Sequence, residues 1–355
     1  MANVTYYIGA GASAGKRSQS GSILEGLPCV NEITNRLGGL IMRLQRAKYH
    51  EGDFDWTNSY LGFRSLADWE NAKQRLIASL QVLYDACNRN ATIDTYAKKL
   101  VLQEKRAELE QLERLLTLFF ILEQVLNKPD SRYDTFLANI LQNRRQFPEN
   151  IKVLSWNYDS QFEIAYDEYD RDYRLNIGSK LSKEYQPFDI LKINGSATFV
   201  GGMSIPKYRR GLLEDIHKKH PNINEGSIDP IEKILPTIVM LYQMYVGEVN
   251  PMRENKTNLS FAFDYTRPTD VLYRRANEII GATNALVVIG YTFPFFNREI
   301  DRKLLEFLNS DATIYIQDIN PERIKQSFKA VCPKIKDFQI VLLNEVDQFF
   351  LPPEL

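Results

Sequence analysis

Cysteine, histidine, unbalanced charge and long apolar runs are all scarce in this chain, and each scarcity removes a class of protein. The 355 residues hold 3 cysteines and 3 histidines. Cys29, Cys87 and Cys332 are odd in number and far apart, with no C-x-x-C pair. That pattern argues against a disulfide framework and a zinc ribbon, and predicts a reducing, intracellular setting. His217 and His220 stand at i,i+3 but are flanked by lysines and lack a third ligand, so they read as solvated surface and no metal site is expected. The 44 basic side chains against 45 acidic ones leave a formal charge of −1, so no global field draws in nucleic acid or an anionic membrane. The longest apolar stretch, "LLTLFFIL" at Leu115–Leu122, is too short to span a bilayer, and the N-terminus shows no basic segment followed by an apolar run. The expectation is a soluble, cytoplasmic protein.

What is present is enough apolar side chain for a sizeable core, at 44% of residues, and a glycine-rich loop near the start. Val4–Ile8 reads as a buried strand, and "YYIGAGASAGKRSQSG" carries it into a loop at Gly9. Against the triphosphate pattern G-x-x-x-x-G-K-[ST], Gly15-Lys16 has Ala10 in place of the first glycine and Arg17 in place of the hydroxyl residue. The dinucleotide pattern G-x-G-x-x-[GA] is met by Gly9, Gly11 and Ala14. A glycine-rich turn with no ligand is the alternative. Apolar residues Ile33, Leu37, Leu40, Ile41 and Leu44 then mark a helix over Asn31–Arg46.

Between Leu66 and Arg145 only helical periodicity appears. Strand signals resume at Lys152–Trp156 and continue in "FDILKINGSATFV", "NLSFAF", "ALVVIGYTF", "ATIYIQDIN" and "FQIVLL", the last three separated by helical segments. The pattern predicts an α/β fold, a Rossmann-like, mostly parallel sheet flanked by helices. Residues 1–60 and 150–355 are assigned to it, residues 61–149 to a helical insertion, and residues 203–251 to a smaller appended module.

In an open parallel sheet ligands bind beyond the carboxyl ends of the strands, so the polar residues just after each strand matter most. In order these are Gly9-Ala10-Gly11-Ala12-Ser13, Asn157-Tyr158-Asp159, Asn194-Gly195-Ser196, Gly290-Tyr291-Thr292 and Asp318-Ile319-Asn320. The series resembles the sirtuin-like superfamily, and most closely the bacterial sirtuin-like NAD hydrolases of anti-phage defence. "GLPCVNEI" at Gly26–Ile33 also resembles a segment of that branch. The resemblance implies that Gly9, Ala10, Gly11 and Ser13 hold the NAD pyrophosphate, that Asn157 and Asp159 stand beside the nicotinamide and its ribose, and that Gly290 and Thr292 contact the adenosine half. Asp318, Ile319 and Asn320 would meet the adenine ribose.

Two departures from the family stand out. No four-cysteine zinc module can be built from three cysteines. The family's catalytic histidine precedes a glycine at a strand end, and here that position reads Asn194-Gly195. An amide can hydrogen-bond to a ribose hydroxyl but cannot take its proton, so chemistry at this site is expected to be slowed, whether the replacement is natural or introduced. Asn-Gly between "DILKI" and "ATFV" also fits a tight hairpin turn. The carboxylate of Asp159 is a candidate acid or base, or simply a helix cap.

The resemblance implies hydrolysis of the nicotinamide–ribose bond to nicotinamide and ADP-ribose, with catalytic roles for Asn157, Asp159 and Asn194 and no metal. It further implies a homo-oligomer that depletes NAD on infection, with a partner defence protein. A non-catalytic sensor holding NAD or ADP-ribose is the competing class; an NTPase rests on Gly15-Lys16 alone. No acidic residue ends a second strand about twenty residues after the loop, which weighs against a hydride-transfer dehydrogenase.

Overall fold

The computed structural model describes residues 2–50, 63–141, 146–170, 175–179, 188–199, 230–246, 257–261, 263 and 271–355. His217, His220 and most of the proposed module at 203–251 lie outside these residues.

The chain divides into two compact units. The first comprises Met1–Leu27, Asn127–Ser196 and Asn258–Leu355 and holds a seven-stranded parallel sheet. Its strands are β1 (Val4–Ile8), β2 (Ile151–Ser155), β3 (Ile177–Ser179), β4 (Ile190–Lys192), β7 (Ala285–Ile289), β8 (Thr313–Gln317) and β9 (Ile340–Leu343), in the order β3-β4-β2-β1-β7-β8-β9. A further pair, β5 (Gly195–Phe199) and β6 (Thr257–Leu259), forms a separate two-stranded sheet.

Both faces of the central strands are buried, which is why they read as continuous apolar runs rather than alternating ones. Tyr7, Leu154, Leu286, Val288, Ile314 and Ile316 pack on one face with Ala276, Leu304 and Phe328. Those three partners belong to α8 (Val271–Gly281), α9 (Arg298–Leu305) and α10 (Pro321–Val331). Val4, Tyr6, Ile8, Val153, Val287 and Ile289 face the other way, against Tyr133 and Phe136 of α5 (Ser131–Ile140) and Phe162 of α6 (Gln161–Asp167). The sheet is therefore doubly wound. β1 is its centre, pairing Val4 with Ile151 on one side and with Ala285 on the other. Successive connections run outward in opposite directions from this strand, which makes its carboxyl end the topological switch point.

The second unit comprises Pro28–Leu126 and Ala197–Thr257. It contains α1 (Val30–Arg46), α2 (Leu66–Arg89), α3 (Ile93–Leu102), α4 (Arg106–Leu126) and α7 (Pro230–Tyr245). Cys29 opens α1 as part of a capping box, its N–H donating to Glu32 Oε2 at 2.7 Å. The run Leu115–Leu122 lies within α4 and is buried throughout. Inside the unit Arg36 of α1 meets Glu123 of α4 at 2.9 Å. Among the described residues no helix is long and apolar enough to cross a membrane.

Two expectations and one alternative reading differ from what is observed. The compact units place α1 with the helices rather than with the sheet, and α5 with the sheet rather than with the helices. Periodicity shows that a helix has an apolar face but not what that face packs on. The hairpin at Asn194-Gly195 is absent: β4 pairs with β2 and β3, whereas β5 pairs with β6. Only Gly195 has positive φ, at 71°, and a type I′ turn requires it at both central residues. Finally, "FDILKINGSATFV" contributes two strands in different sheets, and the three-residue β3 carries no strand signal in the sequence.

Candidate functional site

The loop after β1 is a short 3₁₀ turn, Ala10–Ser13, and its glycines are explained by the loop after β7. Gly9 N–H donates to Ile289 O at 3.0 Å, and Gly11 N–H donates to Gly290 O at 3.0 Å. A Cβ on Gly9 would stand 2.7 Å from Gly290 O, and one on Gly11 would stand 2.7 Å from Gly290 Cα. The two backbones thus touch, and side chains are excluded by protein rather than by a ligand. Ala12 N–H also bonds to Gly9 O, at 2.9 Å. The amides of Gly9, Gly11 and Ala12 are therefore engaged within the protein, so a pyrophosphate cradle built on all the amides from Gly9 to Ser13 is not available here.

The side chains form a denser constellation. Asn157 Nδ2 donates to Gly9 O at 2.9 Å and to Ser13 Oγ at 3.1 Å. Ser13 Oγ donates to Asp159 Oδ1 at 3.1 Å and lies 2.9 Å from the Tyr133 hydroxyl. Ser13 has one proton, which goes to Asp159, so Tyr133 is the donor in that pair. Burial, and next the charge of Asp159, push the Tyr133 hydroxyl well above its ordinary range and keep it protonated. Asp159 Oδ1 also accepts from Gln161 N–H at 3.0 Å, the first amide of α6, which is a capping contact.

Asn194, buried at 7% exposure, donates from Nδ2 to Trp156 O at 2.9 Å. A carbonyl can only accept, which fixes the amide orientation. Asn194 Oδ1 is then left buried without a hydrogen-bond partner among the described residues. Such an orphan is uncommon in a native interior and invites a donor.

Sequence reasoning missed several members of this cluster. Arg132 is paired to Asp130 at 2.6 Å and donates to Gly11 O at 2.8 Å, while Asp130 Oδ2 accepts from Gly15 N–H at 2.7 Å. The pair grips both ends of the Gly11–Gly15 segment. Lys192 and Glu163 form an ion pair of 3.0 Å with side-chain exposures of 2% and 5%, and Lys192 Nζ also donates to Asp159 O. Burial raises the Glu163 carboxyl, opposed by Lys192. The one available signal was a lysine inside the short apolar run "DILKI", where a charge must be paired if buried.

The remaining predicted residues contribute no side chain to this cluster. Gly290 holds φ 58° against the first loop, whereas Thr292 is exposed. Asp318 Oδ1 accepts from Asn320 N–H at 2.9 Å and Asn320 Oδ1 from Arg323 N–H at 3.3 Å, which makes both local caps of α10. Arg17, at the hydroxyl position of a triphosphate loop, donates instead to the carbonyls of Ala14, Glu25 and Leu27. Among the described residues no group of His, Cys, Asp and Glu is placed to hold a metal.

Beneath the loops lies a buried carboxyl. Tyr7 donates to Asp301 Oδ1 at 2.6 Å and Tyr291 to Asp301 Oδ2 at 3.1 Å. Burial raises the Asp301 carboxyl from 3.8 to about 8 despite these bonds. The folded state therefore holds a proton that the unfolded state releases. The resulting stability is fully present below about pH 4 and lost as pH rises toward 8, with a slope of up to about 1.4 kcal/mol per pH unit. Asp301→Asn should flatten that slope in urea unfolding at pH 5 to 8; parallel slopes for the two proteins would refute the assignment.

The fold and site define an α/β protein with a buried polar cluster at the switch point of a parallel sheet. No protein-family model matches the chain, and no curated protein matches it.

Proposed function

We propose that this chain binds NAD at the carboxyl ends of β1, β2 and β4 and is a sirtuin-like NAD hydrolase slowed by Asn194. The observation that carries the reading is the convergence of Ser13, Asn157 and Asp159, distant in sequence, into one hydrogen-bonded cluster, with the unpartnered Asn194 Oδ1 on the neighbouring strand end. The oxygen of Asn194 suits a ligand that presents donors, such as a ribose diol or a carboxamide. Asp159 would stabilise positive charge developing at the ribose as the nicotinamide leaves. Asn157 spends its Nδ2 on the loop and has its carbonyl oxygen to orient the carboxamide or the attacking water. NAD depletion in anti-phage defence, a homo-oligomer and a partner protein belong to the same proposal.

Calorimetry with NAD and with ADP-ribose, nicotinamide release and ATP hydrolysis test this reading together. NAD binding with slow nicotinamide release and no ATP hydrolysis is expected, and Asp159→Asn should reduce release at least tenfold. Absence of NAD binding would overturn the proposal. Binding without any release would favour the sensor, which Asn194 specifically supports.

A further inference from the structure

The geometry points to Lys192 as a positioning residue that sets Asp159, with Glu163 as the counter-charge that lets a lysine be buried there. This inference rests on the NAD-site reading for its ligand, but not for its geometry. Lys192 ends β4 two residues before Asn194, and its Nζ reaches the Asp159 carbonyl and, at 3.0 Å, Glu163 Oε1. Glu163 lies in the first turn of α6, the helix that Asp159 helps to cap through Gln161. Asp159 is thereby held at its backbone by Lys192 and at its carboxylate by Ser13 and Gln161. Buried ion pairs are weak evidence for stability, since neutral replacements of similar volume are often tolerated, but they fix position where partners are few.

Two variants separate positioning from stability. Glu163→Gln keeps an acceptor for Lys192 but strands its charge, so it should lose stability while leaving Lys192 on the Asp159 carbonyl. Lys192→Met combined with Glu163→Gln removes both charges, so stability should recover while the Asp159 turn loses its tether. The Gln161 amide is a direct reporter, because an amide in the first helical turn has no partner within the helix and here depends on Asp159 Oδ1. Hydrogen exchange of that amide, melting temperature and NAD affinity are measured for both variants. We expect exchange at Gln161 to quicken at least tenfold and NAD affinity to fall at least tenfold in the double variant only. Site properties that simply follow melting temperature across the two variants would overturn the inference. If the wild-type chain binds no NAD, the functional reading fails, and Gln161 exchange in the free protein still decides whether Lys192 positions Asp159.

Discussion

Asn194→His should raise nicotinamide release by roughly a hundred- to ten-thousand-fold, the range of general acid–base catalysis. The geometry favours the exchange. Asn194 Nδ2 donates to Trp156 O, and the Nδ1–H of an imidazole can take over that bond. The same carbonyl then fixes the tautomer and leaves Nε2 unprotonated, able to accept a proton at neutral pH. NAD affinity should change little, because the unprotonated Nε2 takes the place of Asn194 Oδ1 as the acceptor offered to the ligand and no contact of Ser13, Asn157 or Asp159 is removed. Paired measurements of turnover and melting temperature check this: unchanged turnover at wild-type stability would remove Asn194 from the catalytic assignment.

Gly290→Ala should be strongly destabilising. Its Cβ would stand 2.5 Å from Ala12 N and closer still to Gly11, and its φ of 58° lies in the left-handed region. The backbone strain costs about 1–2 kcal/mol and the clash roughly 1–3 kcal/mol more, because the opposing atoms are main chain and cannot rotate away. Gly39→Ala is the internal control, since an added Cβ there meets nothing within 4 Å and the position lies inside α1. That change should raise stability by about 0.5–1 kcal/mol. Equal melting temperatures for Gly290→Ala and the wild type would show that the two loops can separate freely.

Much of this architecture was legible because buried parallel strands announce themselves as apolar runs. Ala285–Ile289 is buried at every position, and the residues just past such strands include Ser13, Asn157, Asp159 and Asn194. What could not be read is partnership. Tyr133, Asp130 and Arg132 come from a helical segment whose periodicity resembles that of α2 to α4, and nothing local says that it packs on the sheet. The glycines illustrate a different limit. Their spacing matched a dinucleotide loop, yet the close approach that demands them is to Gly290, a residue of another loop.

The position of β1 also bears on how the chain acquires its structure. This strand is made long before its hydrogen-bonding partners, Ile151–Ser155 and Ala285–Ile289. At roughly 5–20 residues per second, synthesis delivers the second partner on the order of 15–60 s after the strand itself. Until β2 emerges both edges of an apolar strand are open, and until β7 emerges one of them still is, exposed to the wrong neighbours. Closure of these distant pairings makes the sheet slow to assemble, while the helices encoded between them can form from local contacts.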